Sequence, residues 1–124
     1  MMEAFDHVLL AAPRGSEDDL RAYYGGVLGM TEIPKPPGLA ARGGCWFQAG
    51  AVQLHLGIEE DFRPARKAHP GIRVRDIDAF AARLESAGAE IVWDDSLPGR
   101  RRFHTADPVG NRLEFLGPEP APAP

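Results

Sequence analysis

His69-Pro70-Gly71-Ile72-Arg73-Val74-Arg75-Asp76-Ile77-Asp78-Ala79-Phe80-Ala81-Ala82-Arg83-Leu84-Glu85-Ser86-Ala87-Gly88 changes its periodicity part-way. Residues 69–74 read as a strand. Asp76 then offers a carboxylate to cap a helix whose apolar stripe is Ile77, Phe80, Leu84 and Ala87, and Gly88 stops it. The same order occurs upstream. Residues 5–11, Phe5-Asp6-His7-Val8-Leu9-Leu10-Ala11, read as a strand bounded by Pro13-Arg14-Gly15. Ser16 is placed to cap a helix with Glu17, Asp18 and Asp19 in its first turn. Its stripe is Leu20, Tyr23, Tyr24, Val27 and Leu28, and its stop is Gly29.

Three further strands follow each helix. In the first half they are expected at 30–33, 44–49 and 51–58, and in the second at 90–94, 101–105 and 112–116, with the turn Asp107-Pro108-Val109-Gly110-Asn111 before the last. The chain is therefore βαβββ written twice, in modules spanning 5–58 and 69–117. Landmarks recur at a nearly constant interval: His69 follows His7 by 62 (69 − 7), Gly88 follows Gly29 by 59 (88 − 29), and Glu114 follows His55 by 59 (114 − 55).

Alternation along the strands assigns faces. Val8 and Leu10 oppose His7 and Leu9, and Leu54 and Leu56 oppose Gln53, His55 and Gly57. In the second half Ile72 and Val74 oppose His69, Gly71 and Arg73, and Leu113 and Phe115 oppose Arg112 and Glu114. Each apolar face suits a helix, and each opposite face carries a titratable residue. Three histidines and a glutamate gathered on such faces would be a costly polar cluster unless a cation neutralises it. Imidazole with carboxylate suits one divalent transition ion, Zn, Ni, Fe, Co or Mn, better than Ca.

Composition narrows the function classes. The chain has 124 residues, 44% apolar and 26% charged, enough for one domain over 1–117 without disulfide staples. No apolar run approaches the roughly 20 residues of a membrane span. The N-terminus lacks the basic and apolar regions of a secretory signal, so a cytoplasmic location is expected. Cys45 is the single cysteine and reads as a buried side chain on a strand. A net charge of −4 argues against nucleic acid as partner. The basic clusters Arg63, Arg66 and Lys67, and Arg100-Arg101-Arg102, would favour an anionic small molecule if they border the site. Residues 118–124 are Pro/Ala-rich and expected to be a disordered tail.

The phrases Phe5-Asp6-His7-Val8-Leu9-Leu10, Tyr23-Tyr24-Gly25-Gly26-Val27-Leu28-Gly29-Met30, Val74-Arg75-Asp76-Ile77-Asp78, Leu84-Glu85-Ser86-Ala87-Gly88 and Asp107-Pro108-Val109-Gly110-Asn111-Arg112-Leu113-Glu114 carry a resemblance. Over residues 5–117 the chain resembles the vicinal oxygen chelate superfamily. That superfamily includes glyoxalase I, extradiol dioxygenases, fosfomycin-modifying thiol transferases and bleomycin-binding resistance proteins. The resemblance implies an α+β fold in which tandem βαβββ modules form a U-shaped, partly closed mixed sheet with helices outside. It implies His7, His55, His69 and Glu114 as metal ligands, with Glu114 also catalytic, and commonly a homodimer. His55 stands where glyoxalase I has a glutamate. One carboxylate leaves a divalent site at formal charge +1, and imidazole is a poor substitute for a proton-shuttling glutamate, so strict glyoxalase I activity is disfavoured.

His104 stands where relatives often carry a tyrosine facing the substrate, which makes it a candidate general acid and equally a candidate surface histidine. Gln53, Trp46 and Arg102 are candidate substrate contacts; Trp46 has core packing as its plainer reading. Two functions stand. One is a metal-dependent enzyme that chelates a small substrate through neighbouring oxygens, as a lyase, isomerase, thiol transferase or oxygenase. The other is a protein that binds a drug or metabolite without transforming it.

Overall fold

The computed structural model describes residues 1–120, so residues 121–124 of the expected tail lie outside the described residues. By contact the chain divides into two compact units, residues 1–64 with Asp107–Asn111, and residues 65–106 with 112–120. Each contains a four-stranded mixed sheet of the same topology. In the first, β1 (Val8–Ala12), β2 (Thr31–Ile33), β3 (Cys45–Ala49) and β4 (Val52–Ile58) lie in the order β1-β4-β3-β2. In the second, β5 (Gly71–Arg73), β6 (Val92–Trp93), β7 (Arg102–Ala106) and β8 (Arg112–Leu116) lie in the order β5-β8-β7-β6. The outer strand β1 runs parallel to β4 and β5 parallel to β8, while the remaining pairs are antiparallel. These are the two βαβββ modules of the sequence.

Several boundaries differ from the sequence reading, each for a local reason. Phe5 and His7 precede β1, because the pairing begins at Val8 with Leu54 and Phe5 lies beyond the end of β4. His69 likewise precedes β5: Pro70 has no N–H to give the ladder, though its carbonyl accepts the Glu114 N–H at 3.1 Å. The strand expected at 90–94 shrinks to Val92–Trp93, and β7 begins one residue late at Arg102.

The first helix is not uniform. After α1 (Glu17–Leu20) the chain widens to a π-helix over Arg21–Val27, and the Leu28 N–H bonds the Tyr23 carbonyl at 2.8 Å. Gly25-Gly26 offers little resistance to that widening. Ser16 does not cap it; its hydroxyl donates to the Pro13 carbonyl at 2.6 Å. A short α2 (Pro37–Ala40), unexpected from the sequence, starts with Pro37 at a position that needs no N–H. By contrast α3 (Ile77–Ser86) follows expectation, since Asp76 accepts from the Ala79 N–H at 3.1 Å, though Ala81 rather than exposed Ala87 completes its buried stripe. Gly29 and Gly88 both stop their helices at positive φ, 77° and 89°.

Burial follows the alternating faces. In the first unit Leu20, Tyr24, Phe47, Leu54 and Leu56 form the core, with Tyr24 stacked on Phe47 at 5.4 Å. The Tyr24 hydroxyl donates to buried Asp107 at 2.7 Å. Asn111 donates to the same carboxylate at 3.0 Å and to the Ala11 carbonyl at 2.8 Å, which ties the 107–111 turn to β1. In the second unit Ile77, Leu84, Phe103, Leu113 and Phe115 are buried, and Phe80 of α3 packs on Phe115 at 4.8 Å. Among the described residues no helix is long and apolar enough to cross a membrane.

Candidate metal centre

Strand β8 lies inside its sheet, so Glu114 at its middle has a neighbour on either side, Gly71 of β5 and His104 of β7. Gly71 contributes no side chain; a Cβ there would lie 3.6 Å from Glu114 Oε1. His69, two residues upstream, uses that space and brings its Nε2 within 2.9 Å of Glu114 Oε1. Its other ring nitrogen, Nδ1, lies 2.6 Å from the Lys67 carbonyl. A carbonyl only accepts, so Nδ1 carries a proton and Nε2 is the ring nitrogen turned to the carboxylate. His104 Nε2 lies 3.9 Å from the same oxygen, with its ring edge-on to His69 at 5.2 Å.

Arg102 secures the other carboxylate oxygen. Its Nη1 donates to Glu114 Oε2 at 2.9 Å, while Nη2 reaches Asp94 Oδ2 at 3.1 Å and Ser96 Oγ at 3.0 Å. Burial pushes the Glu114 carboxyl upward, but the hydrogen bonds from His69 and Arg102 outweigh it and hold the group below its ordinary value. Burial lowers His104, with Arg112 acting in the same direction, so its imidazole is neutral at neutral pH. Neutral imidazole is the form that ligates metal.

The corresponding strands of the first unit hold a different arrangement. His55 of β4 is buried between two rings, Trp46 of β3 at 3.9 Å and 7° and His7 ahead of β1 at 4.1 Å and 14°. Its Nε2 is engaged with Gln53 Oε1 at 2.7 Å, and His7 Nδ1 pairs with exposed Asp6 at 2.8 Å. Burial, then the neighbouring His7, lowers the pKa of His55.

The sequence profile of the glyoxalase-like domain matches residues 9–116. The chain belongs to that family. A glyoxalase-like chain described as a glyoxalase family protein from Bacillus anthracis has a solved structure that is 45% identical, covers 96% of this chain and 98% of its own, and superposes with a TM-score of 0.93. Two more distant structures share the fold. A variant of the fosfomycin resistance protein FosX from Listeria monocytogenes, complexed with Mn(II) and 1S,2S-dihydroxypropylphosphonic acid, is 14% identical, with coverage of 96% and 95% and a TM-score of 0.77. TnmS3, an antibiotic binding protein from Streptomyces sp. CB03234, is 23% identical, with coverage of 95% and 100% and a TM-score of 0.72. No curated protein matches the sequence.

Within the glyoxalase-like chain, the residues singled out from sequence fall into two groups. His69, Glu114, His104 and Arg102 meet in one cluster of the second unit, and His7, His55, Gln53 and Trp46 meet in the ring stack of the first. His104, read as a candidate general acid, belongs to the candidate ligand set: one donor atom each from His69, His104 and Glu114 lie within 4.8 Å of one another. The signal was available in the alternation, since pairing of 102–106 with 112–116 puts His104 beside Glu114. Arg102, read as a substrate contact, grips Glu114. Asp94 and Ser96, its other partners, carried no sequence signal because they lie in an irregular loop.

The donor set fits a divalent transition ion. Two imidazoles and one carboxylate converge, His69 has its Nδ1 proton fixed by a backbone carbonyl, and its Nε2 is turned to Glu114 Oε1 at 2.9 Å. An approach this close is held by a cation, either a proton on Nε2 or a metal ion bound by both atoms.

Proposed function

We propose that this chain is a metal-dependent enzyme in which His69, His104 and Glu114 hold one divalent transition ion, and that a small substrate is chelated there through two neighbouring oxygens. The observation that carries the reading is the convergence of His69 Nε2 on Glu114 Oε1 at 2.9 Å with His104 beside them, one donor atom from each of the three lying within 4.8 Å of the others. Bound there, the ion would act as a Lewis acid that polarises a substrate oxygen and stabilises the charge developing on it. Arg102 fixes the orientation of Glu114 by holding Oε2, and the Lys67 carbonyl fixes the tautomer of His69. Glu114, engaged through both oxygens, is poorly placed to move protons in the manner of glyoxalase I. Addition to, or opening of, an oxygen-bearing group suits this site better than a carboxylate proton shuttle. The likeness to FosX concerns the fold; the donor set carries the proposal.

Competition by oxygen chelators tests it. Protein loaded with Mn(II) should bind acetohydroxamate and a vicinal hydroxyphosphonate at one site per chain, and His69→Ala should abolish both. Chelator binding that persists in metal-free protein would contradict the reading. A second reading, sequestration without chemistry, draws on one specific observation: both oxygens of Glu114 are already engaged, by His69 and by Arg102, an arrangement that stands with no ion present. Protein that binds apolar ligands tightly and takes up no metal would favour it. The same proposal includes a homodimer of twice 13.5 kDa, supported by exposed Phe5 and Leu9 and by the outer strands of each sheet, and a monomeric mass by light scattering would refute it.

A further inference from the structure

A cleft of about 760 Å3 lies in the second unit beside the loop joining β6 to β7, walled by Trp93, Leu97, Asp94, Arg100, Arg101 and Arg102. It is a groove open to solvent along one side. None of His69, His104 and Glu114 lines it, and Arg102 alone belongs to both places, with Nη1 on Glu114 and Nη2 on the Asp94 side.

The walls have two chemistries. Trp93, on the edge strand β6, is 42% exposed and Leu97, in the loop after it, 37%, both large apolar side chains left in water. The Trp93 ring is held edge-on by Phe103 at 5.2 Å and covered on one side by the Arg101 guanidinium at 4.4 Å, so it is a fixed surface. The arginines differ in how fully they are used. Arg102 is committed to Glu114, Asp94 and Ser96. Arg101 shares one nitrogen with Asp78 in an exposed pair, which holds it weakly. Arg100 is half-buried and spends only Nε, on the Gly117 carbonyl at 3.1 Å; among the described residues its two terminal nitrogens have no partner. Opposing them, Asp94 is already bonded by Ser96 and Arg102, and Asp95 is exposed to water. A half-buried guanidinium with two unused donors beside a fixed aromatic surface matches a planar anionic group attached to an apolar body.

We propose that this cleft is a second binding site, separate from the metal centre, for a small organic anion: a carboxylate, sulfonate or phosphonate carried on an aromatic or apolar body. Arg100 anchors the anion, Arg101 exchanges Asp78 for it, and Trp93 and Leu97 cover the body. The site does not depend on a metal ion.

Calorimetry with benzylphosphonate as probe tests the assignment. The expected result is one probe per chain, bound equally with and without EDTA and equally by His69→Ala, which separates this site from the metal centre. Benzyl alcohol and inorganic phosphate should each bind at least tenfold more weakly, since each lacks one of the two chemistries. Arg100→Gln/Arg101→Gln should weaken the probe at least tenfold. Leu97→Asp, a change on an exposed loop that leaves the Gly117 and Asp78 bonds intact, should weaken it severalfold, and Asp95→Asn should strengthen it. Absence of binding, loss of binding on adding EDTA or in His69→Ala, or unchanged affinity in both Arg100→Gln/Arg101→Gln and Leu97→Asp would each overturn the proposal.

Discussion

The two modules place different chemistry on one backbone. Leu9 pairs with His55 as Gly71 pairs with Glu114, and Trp46 pairs with His55 as His104 pairs with Glu114. His7 therefore corresponds to His69, Trp46 to His104 and, two residues earlier on the same strand, Gly44 to Arg102. In the first module these positions give three stacked rings with the central Nε2 spent on Gln53. In the second they give a carboxylate flanked by two imidazoles and a guanidinium. The central strand fixes where a functional side chain stands, and the residues on its two neighbours decide whether it is sealed by rings or left with donors facing inward. Gly71 is part of that difference. It leaves Glu114 Oε1 approachable, whereas Leu9 fills the equivalent place and leans on Gly57 at 3.1 Å from where a Cβ would be.

Writing the first module's residues into the second should abolish the contrast. Glu114→His/His104→Trp should reduce metal affinity by more than about 100-fold, because it removes a charged ligand and a neutral one together and leaves Arg102 to Asp94 and Ser96 alone. The measurement is a calorimetric titration with Mn(II) or Zn(II), alongside circular dichroism to verify folding. Affinity within threefold of the parent would show that the second module's side chains do not hold the ion.

A smaller effect distinguishes the turns that precede the central strands. β3 turns into β4 through Gly50-Ala51, whereas β7 reaches β8 through Asp107–Asn111, whose buried carboxylate accepts from Tyr24, Asn111 and the backbone N–H groups of Val109 and Asn111. Asp107→Ala leaves the Tyr24 hydroxyl and the Asn111 amide short of a partner and should cost about 3 kcal/mol, against about 1 kcal/mol for Tyr24→Phe. Urea unfolding measures both. Equal costs would mean that the tyrosine bond carries most of the network.

The smallest effect concerns acid. The pKa of His55 is depressed in the fold, so the unfolded chain binds its proton more readily, and stability should decline as pH falls below the ordinary value of 6.5. Glu114 is also depressed, and its contribution is present above the ordinary 4.5 and lost as pH falls below it. Trp46→Leu uncovers one face of His55 and should shrink the first decline while leaving the second. Melting temperatures at pH 7.5, 6 and 4 separate the two windows. A Trp46→Leu protein with an unchanged decline between pH 7.5 and 6 would show that the ring stack does not keep His55 neutral.

Much of this was legible in the sequence because period-two alternation and helix punctuation are local signals. Asp76 and Gly88 mark their helix, and the repeat interval aligns His55 with Glu114 before any pairing is known. Pro70 was visible, yet its effect on the start of β5 depends on a ladder partner that only the fold supplies. The π-helical stretch was hidden because Tyr23, Tyr24 and Val27 fit an α-helical stripe equally well. Sequence placed Arg102 near the site through its charge, but its grip on Glu114 depends on the pairing register of β7 with β8. The stacking of His55 between Trp46 and His7 also needed the strand order, because Trp46 lies on β3 and His7 just ahead of β1, on opposite sides of β4.

The central claim is that the second module's cluster binds the ion, and Mn(II) titration followed by electron paramagnetic resonance tests it most directly. The parent protein should take up one Mn(II) per chain, and His69→Ala/Glu114→Ala should take up none at concentrations that saturate the parent. His55→Ala should keep its affinity within about tenfold, the lower bound for disturbing a group that only supports a metal site. Stoichiometric uptake by His69→Ala/Glu114→Ala, or an equally complete loss in His55→Ala, would contradict the account.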